Sequence, residues 1–296
     1  MKVLVVGSSN VDITLRVDKF LAPGETCAAI SKSIALGGKG LNQAIALKRS
    51  GADVTFVTCL GDDDLGKMIE KTIQENKLDS IIIKKDNSSS GQAYILVDSK
   101  GENEIIIDHE SNYMFGKEDL IKYEEKFACY DILLLQNEIK EEVNEYLINK
   151  FYDLGKIIVY NNAPFRKISD NTLSKIDYLI VNETELEQMV GSDNERSNFL
   201  LDKVLSKGVK NVILTLGDKG SIFKSKKEEI HMPAKHVHAI DTVGAGDTFV
   251  GYFVSFIKDL NVAISLATIA SAISVTRRGA IPSIPSCSEV ENFDLN

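Results

Sequence analysis

Near the C-terminal end, small residues and one carboxylate occur at a spacing suited to phosphoryl transfer. Asp241–Phe249 reads Asp-Thr-Val-Gly-Ala-Gly-Asp-Thr-Phe; strand-like residues 238–240 precede it and apolar residues at helical spacing follow it. Glycines let the backbone approach a ligand, and unpaired N–H groups at a helix start attract anions, phosphate above all. A carboxylate here, Asp247, suits a base that takes the proton of an attacking hydroxyl. The alternative is a glycine-rich turn in which an Asp caps a helix.

A second glycine-rich turn lies at Gly37–Ala44, which reads Gly-Gly-Lys-Gly-Leu-Asn-Gln-Ala and leads into a predicted helix, Leu41–Ser50. The spacing is not that of a Walker A loop. Its glycines would let a polar ligand lie against the backbone, with Lys39 and Asn42 as donors. The alternative is a tight strand-to-helix turn with Lys39 in solvent.

Further polar groups follow predicted strands. Asn10 and Asp12 come after the first strand, Asn182–Glu185 after a later one, and Thr215–Gly220 after another. Each alone could be a cap or a turn, but open α/β sheets bind ligands at the carboxyl ends of their strands. Their joint position therefore predicts a ligand site. The first turn lacks G-x-G-x-x-G, so a dinucleotide is not expected.

Composition excludes several classes of partner. The chain has 296 residues and a net charge of −9, which gives nucleic acid no electrostatic attraction. We find no apolar run of about 18 residues and no signal peptide, so we expect a cytoplasmic protein with no membrane partner. Four scattered cysteines without a C-x-x-C pair predict buried free thiols.

Short apolar runs alternate with amphipathic segments, which predicts an α/β fold with a mostly parallel central sheet and helices on both faces. The predicted strands are Val3–Gly7, Val54–Cys59, Ile132–Gln136, Ile157–Tyr160, Tyr178–Val181 and Val212–Leu216, and the predicted helices include Leu65–Asn76, Glu141–Leu154 and Asn198–Lys207. Two regions, about 11–36 and 91–110, break this rhythm and predict a small antiparallel β lid. We expect one domain over residues 1–296.

These motifs, in this order, resemble those of the ribokinase-like family of sugar kinases nearly from end to end. Gly37–Asn42 matches the first signature of that family and Asp241–Phe249 the second. Gln136–Glu138 and Thr276–Ala280 also agree in order. The resemblance implies the predicted sheet, a lid that closes over the sugar, and a homodimer formed through that lid.

The resemblance also assigns roles to individual residues. It implies that Asp247 is the catalytic base and that Gly244, Ala245 and Gly246 form an anion hole for the transferred phosphoryl group. The sugar-binding residues would be Asn10, Asp12, Gly38, Lys39, Asn42, Glu138 and Asp247. The ATP-binding residues would be Asn182, Thr215, Leu216, Gly217, Asp218, Lys219, Gly220 and Gly246. Glu185 would be linked to Mg²⁺, and a monovalent cation, K⁺, would bind Asp241, Val243, Ser274, Arg277, Gly279 and Ser283.

The implied reaction is transfer of the γ-phosphate of ATP to the primary hydroxyl of a pentose. Asn10, Asp12 and Glu138 keep the identities that favour D-ribose. Other acceptors remain open: a nucleoside, fructose or deoxyribose. A sugar-binding regulator without catalysis is a further alternative, against which the intact Asp247 and its glycines argue.

Some positions depart from the pattern of the family. Residues 107–112, Ile-Asp-His-Glu-Ser-Asn, replace a small neutral stretch that ends in Gly-Ala-Asn, so bulk and charge here could change which sugar fits. Leu41 replaces a usual alanine and either narrows the pocket or packs into the helix. Thr268 stands where a His or Asn often lies against adenine.

Overall fold

The computed structural model describes residues 1–191 and 197–293, and a nine-stranded sheet forms its centre. In chain order the strands of the protein are β1 (Lys2–Val6), β2 (Asn10–Arg16), β3 (Ser31–Gly37), β4 (Asp53–Gly61), β5 (Asp79–Lys85), β6 (Gly91–Val97), β7 (Asn103–Asp108), β8 (Ile132–Leu135), β9 (Ile157–Asn161), β10 (Tyr178–Asn182), β11 (Asn211–Thr215), β12 (Ser221–Ser225) and β13 (Glu229–Met232). The central sheet has the order β13-β12-β11-β10-β9-β8-β1-β4-β5.

The central sheet is mostly parallel, as predicted. Pairing is parallel from β11 through to β5, and only β12 and β13 run antiparallel to their neighbours. All six predicted strands are confirmed to within a residue or two at each end. The edge strand β5 was not predicted, because its apolar centre is short and charged residues flank it.

Helices cover both faces of this sheet. They are α1 (Lys39–Arg49), α2 (Asp64–Glu75), α3 (Ser111–Met114), α4 (Glu118–Ile121), α5 (Glu124–Phe127), α6 (Glu141–Asp153), α7 (Asp170–Leu173), α8 (Glu183–Val190), α9 (Ser197–Ser206), α10 (Ala245–Ser255), α11 (Leu260–Val275), α12 (Ala280–Ser283) and α13 (Cys287–Glu291). The four helices that were predicted with bounds are confirmed as α1, α2, α6 and α9, and the helix predicted at the Asp247 motif is confirmed as α10. Over the described residues, no helix has the length and apolar character to span a membrane.

Two hydrophobic cores lie on opposite faces of the sheet. In β1, Val3 and Val5 pack into one core, together with α1, α10 and α11. Leu4 and Val6 point the other way and pack with α6 and α9. Since alternate residues of a strand face opposite sides, a strand buried on both faces must be apolar throughout, which is why the continuous runs predicted these strands.

The lid is a separate four-stranded sheet of order β3-β2-β6-β7. Its two outer pairs, β2 with β3 and β6 with β7, are antiparallel as predicted. A parallel pairing between β2 and β6 joins them. Because β2 begins at Asn10, directly after the turn that follows β1, the lid is continuous with the carboxyl end of the central sheet.

Helices α1 and α10 pack unusually closely at Gly251. A Cβ at this position would lie 2.4 Å from the Cβ of Ala46 and 2.9 Å from the carbonyl oxygen of Gln43. Gly251 stands one helical turn after Asp247. The missing side chain therefore lets α1 approach the start of α10.

We predict that Gly251→Ala destabilises the protein by up to about 2 kcal/mol. An exposed glycine-to-alanine change within a helix normally stabilises by about 1 kcal/mol, but overpacking here costs about 1–3 kcal/mol. Urea denaturation measures the difference. Adding Ala46→Gly removes the clashing methyl, so the double variant should lose less stability than the two single changes summed; strict additivity would contradict the packing argument.

Two local predictions were wrong. Residues 238–240 form no strand; instead the N–H groups of Ile240 and Asp241 both donate to the carbonyl of Val275, at 2.7 and 3.1 Å. The segment is thus hydrogen-bonded to the end of α11 and not to a strand of the sheet. The cysteines are free, but only Cys59 is buried.

Candidate active site

Asp247 lies in the first turn of α10 and is 8% exposed. Its two carboxylate oxygens accept from two different amides of α1. Asn42 Nδ2 lies 2.9 Å from Oδ2, and Gln43 Nε2 lies 2.9 Å from Oδ1. The two glycine-rich motifs therefore meet at this carboxylate.

The backbone before Asp247 forms the concave start of α10. Gly244 adopts a left-handed conformation (φ 76°), and a Cβ there would lie 3.0 Å from Ala280, so glycine fits both the turn and the space. The first N–H groups of a helix have no partner within it. Gly244, Gly246 and Asp247 line one cavity of about 240 Å³, so an anion in this cavity would meet both the N–H groups and the carboxylate.

A second buried carboxylate, Glu138, accepts hydrogen bonds from three segments beside Lys39. It is 7% exposed, and its Oε2 accepts from Ser8 Oγ at 2.6 Å, from the backbone N–H of Lys39 at 3.0 Å and from Asn10 Nδ2 at 3.5 Å. The turns after β1 and β8 and the start of α1 thus converge on one carboxylate. Three of the predicted sugar-binding residues, Asn10, Lys39 and Glu138, are brought together here.

Asp12, on strand β2 of the lid, lies close enough to Glu138 and Asp247 for their charges to act on it, and these three carboxyl groups bound the candidate sugar pocket. Burial, and then the charges of Glu138 and Asp247, raise its pKa to about 7. Lys39 offsets part of this negative charge: burial disfavours its ammonium group, but Asp247, Glu138 and Glu185 together raise its pKa. The pocket therefore combines the carboxyl groups of Asp12, Glu138 and Asp247 with the ammonium group of Lys39, which Glu185 also approaches.

The lid residues beside Asp12 share its face. Asp12 pairs with Ala35 on β3 and with Ala93 on β6, and Ala93 pairs with Ile107 on β7. Paired residues in a sheet project to the same side. Ala93 and Ile107 thus lie on the pocket side of the lid. Ile107 begins the segment 107–112 that departs from the family pattern, whereas the sequence did not indicate Ala93.

A larger cavity of about 360 Å³ lies on the other side of the start of α10. Of the predicted ATP residues, Thr215, Gly217, Asp218, Gly220 and Gly246 line it. Leu216 and Lys219 are not among the described lining residues, and Lys219 instead pairs with Glu183 at 3.4 Å. Thr268 lines the cavity, as expected, and so do residues 234–237, which the sequence did not indicate.

Asn182 and Glu185 form a capping box at the start of α8. The N–H of Glu185 donates to Asn182 Oδ1 at 2.8 Å, and the N–H of Asn182 donates to Glu185 Oε2 at 2.9 Å. Both residues also line the 240 Å³ cavity with Asp247. Burial raises the pKa of Glu185. Asn182 and Glu185 therefore cap α8, and in this position their side chains also lie at the wall of the cavity.

Three of the predicted cation residues are in contact with one another: Asp241, Val243 and Gly279. Asp241 Oδ2 accepts from the N–H of Gly279 at 2.8 Å, and its Oδ1 accepts from the N–H of Val243 at 3.1 Å. The hydroxyl of the buried Ser283 donates to the carbonyl of Ala280 at 2.7 Å, so its lone pairs remain available. Carboxylate, hydroxyl and carbonyl oxygens are the ligand types that suit K⁺.

The residues that depart from the family pattern have different structural roles. Asn112 supports the sugar-binding turn: its Nδ2 donates to Asn10 Oδ1 at 2.8 Å, and its Oδ1 accepts from the N–H of Ser9 at 3.1 Å. His109 stacks on Tyr113 at 3.8 Å between ring centroids. Leu41 is fully buried in the core, so it packs into the helix interface.

We predict that Glu110→Gly stabilises the protein by about 1 kcal/mol. Glu110 has φ 39° and ψ −121°, a region that costs a side-chain-bearing residue about 1–3 kcal/mol, and glycine adopts it freely at the expense of greater unfolded-chain entropy. Thermal melting compares the variant with Glu110→Ala, which should show no gain. An equal gain in stability in both variants would contradict the backbone argument, because it would show that loss of the glutamate side chain causes the gain.

Sequence reasoning missed the residues that support the two buried carboxylates. Arg166 Nη2 donates to the carbonyls of Asn137 and Ile139, both at 3.2 Å, and so holds the chain on either side of Glu138. Gln43 contacts Asp247 directly. The only available signal was that Gln43 adjoins Asn42 in the glycine-rich motif.

Comparison with known proteins identifies the family of this chain. A family model described as pfkB family carbohydrate kinase matches residues 1–287. The chain is 37% identical to the ribokinase of Staphylococcus aureus, with 98% of each chain covered. The chain therefore belongs to the pfkB family of carbohydrate kinases.

Two solved structures share the fold over almost the whole chain. The ribokinase of Thermotoga maritima matches with a TM-score of 0.90 and 38% identity, covering 98% of both chains. The ribokinase of Arabidopsis thaliana complexed with ribose and ATP matches with a TM-score of 0.91 and 29% identity, covering 99% of both chains.

Proposed function

We propose that this protein is an ATP-dependent sugar kinase that transfers the γ-phosphate of ATP to the primary hydroxyl of D-ribose, giving ribose 5-phosphate. The observation that carries the proposal is the position of Asp247, a buried carboxylate between a pocket of sugar-binding character and a larger cavity. The ribokinases to which the chain is similar support ribose as the acceptor.

In this proposal the sugar lies among Asn10, Asp12, Lys39 and Glu138, and its primary hydroxyl faces Asp247. The carboxylate takes the proton of that hydroxyl as the oxygen bonds to the γ-phosphorus and the bond to ADP breaks. Residues 244–246 donate N–H groups to the charge that develops on the phosphoryl oxygens. The lid excludes water, whose attack on ATP is the competing reaction.

We propose Mg²⁺ and K⁺ as the ions of this site. Mg²⁺ is bound through few carboxylates together with substrate phosphates, which fits Glu185 at the wall of the cavity, and it would neutralise phosphate charge. K⁺ would bind between Asp241 and Val243 on one side and the segment 274–283 on the other, with Ser274, Arg277, Gly279 and Ser283 as the proposed ligands, close to the N–H groups of α10.

We also propose a cytoplasmic homodimer built from one domain per chain. An apolar row crosses the face of the lid opposite Asp12, from Ile34 through Ile13 and Tyr94 to Ile106. Ile106 is 66% exposed, and a second copy of the same face would cover the row. Sedimentation velocity tests this; a monomer at micromolar concentration would contradict it.

The experiment that tests the function is ADP release from MgATP with ribose, deoxyribose, fructose and several nucleosides, in sodium or potassium salt. We expect ribose-dependent turnover that potassium increases. Turnover with another acceptor would keep the kinase and move attention to residues 107–112. No turnover with any acceptor would contradict the proposal, and sugar binding without turnover would favour the regulator.

A further inference from the structure

The side-chain amide of Gln43 contacts the proposed base from the interior of the protein. Gln43 is fully buried in α1. Its Nε2 lies 2.9 Å from Asp247 Oδ1 and 3.0 Å from Asn161 Oδ1, and its Oε1 lies 2.7 Å from Gln136 Nε2. Both N–H groups and the carbonyl oxygen of this amide therefore have buried partners.

These partners permit only one orientation of the amide. Asn161 Nδ2 donates to the carbonyl of Ile180 at 3.1 Å, so Asn161 presents its oxygen to Gln43. Asp247 also presents an oxygen, whereas Gln136 presents N–H. If the Gln43 amide turned over, its oxygen would face two oxygens and its NH₂ would face another NH₂. Strands β9 and β10 and the turn after β8 thus fix which atom of Gln43 meets Asp247.

The carboxylate is held from both sides. Gln43 donates to Oδ1 and Asn42 donates to Oδ2. A carboxylate can accept about four hydrogen bonds, so two acceptor positions remain for a substrate in the cavity. The two amides allow little rotation of the carboxylate about its Cβ–Cγ bond.

We propose that Gln43 is a positioning residue that aims the free acceptor positions of Asp247 at the attacking hydroxyl. This inference rests on the proposed role of Asp247 as the base. Proton transfer requires the two oxygens to lie within hydrogen-bond reach, and a misplacement of about 1 Å can cost about 10²-fold in rate. Gln43 is fully buried and contacts the proposed base, so its contribution should fall on turnover rather than on sugar binding.

The test replaces Gln43 with methionine, which keeps the length of the side chain and removes the amide. We expect kcat for the sugar at saturating MgATP to fall about 10²-fold, with little change in KM for the sugar. Asn144→Leu is the matched control: Asn144 is also a buried amide and donates to the carbonyl of Gln136 at 2.7 Å, but it does not contact Asp247. The control should lose stability and keep its kcat.

A second variant covers the case in which Gln43→Met does not fold. Gln43→Glu keeps the size and the acceptor for Gln136, but it sets an oxygen against Asp247 Oδ1, so its kcat should fall at least as far. Retention of kcat in either variant, or an equal loss in Asn144→Leu, would overturn the positioning role. Absence of sugar-dependent turnover in the unmodified protein would instead contradict the proposed function.

Discussion

Asp247→Asn is expected to lower kcat by about 10³-fold while leaving the dissociation constant of the sugar nearly unchanged. An asparagine has the same shape but cannot take the proton of the attacking hydroxyl, and general base catalysis contributes about 10²–10⁴-fold. The first-turn N–H groups of α10 and the sugar contacts at Glu138 do not depend on this charge. Steady-state ADP release measures kcat, and calorimetric titration with ribose in the absence of ATP measures binding.

Two results would contradict the role of Asp247 as the base. One is a variant that loses sugar binding but keeps the turnover of each bound sugar. The other is a variant that thermal melting shows to be folded and that keeps the kcat of the unmodified protein. A folded variant that binds ribose and fails to phosphorylate it would support the assignment.

Sugar affinity is expected to weaken as the pH falls below about 7, by up to about tenfold per pH unit. The pKa of Asp12 is raised to about 7 by burial and by the charges of Glu138 and Asp247. Ionised Asp12 is the stronger acceptor for sugar hydroxyls, so bound sugar favours loss of its proton. Titration calorimetry at pH 7 in buffers of different ionisation enthalpy should show proton release on binding. No proton release, together with a pH-independent affinity, would contradict this prediction.

The same carboxyl should make the folded protein less stable as the pH rises. Its folded pKa, about 7, lies above the usual value of 3.8, so between these values the folded state retains a proton that the unfolded chain has lost. The free energy of unfolding therefore falls across this window and stays low above it. Asp12→Asn should exceed the unmodified protein in stability by about 2 kcal/mol at pH 8, with the gain disappearing near pH 4.

The central fold could be predicted because parallel strands buried on both faces must be continuously apolar. Residues 132–135, Ile-Leu-Leu-Leu, illustrate this. The parallel pairing of β2 with β6 could not be predicted, since it joins Asn10–Arg16 to Gly91–Val97 and no local pattern encodes a contact over that separation. The hairpins on either side were predictable because their pairing is local.

The candidate site also has a part that the sequence predicts and a part that it does not. Asp247 and the glycine-rich motifs carry their chemistry in adjacent residues, so sequence alone indicated them. The contact of Gln43 with Asp247 and Asn161 depends on the rotation of α1 and the register of β9, which only the assembled fold sets. Asn182 and Glu185 show the reverse: their spacing predicted a cap as well as a binding role, and the cap is present.

The three carboxyl groups around the sugar pocket have a consequence for which molecules can stay there. With Asp12 ionised, Asp12, Glu138 and Asp247 outnumber the single ammonium of Lys39. Such a pocket favours an uncharged polyol and repels an acid or a phosphorylated sugar, because like charges in a partly buried site are poorly screened. On the proposed function, the reaction converts an uncharged ligand into an anionic one. Electrostatic repulsion therefore favours release of the product and limits product inhibition.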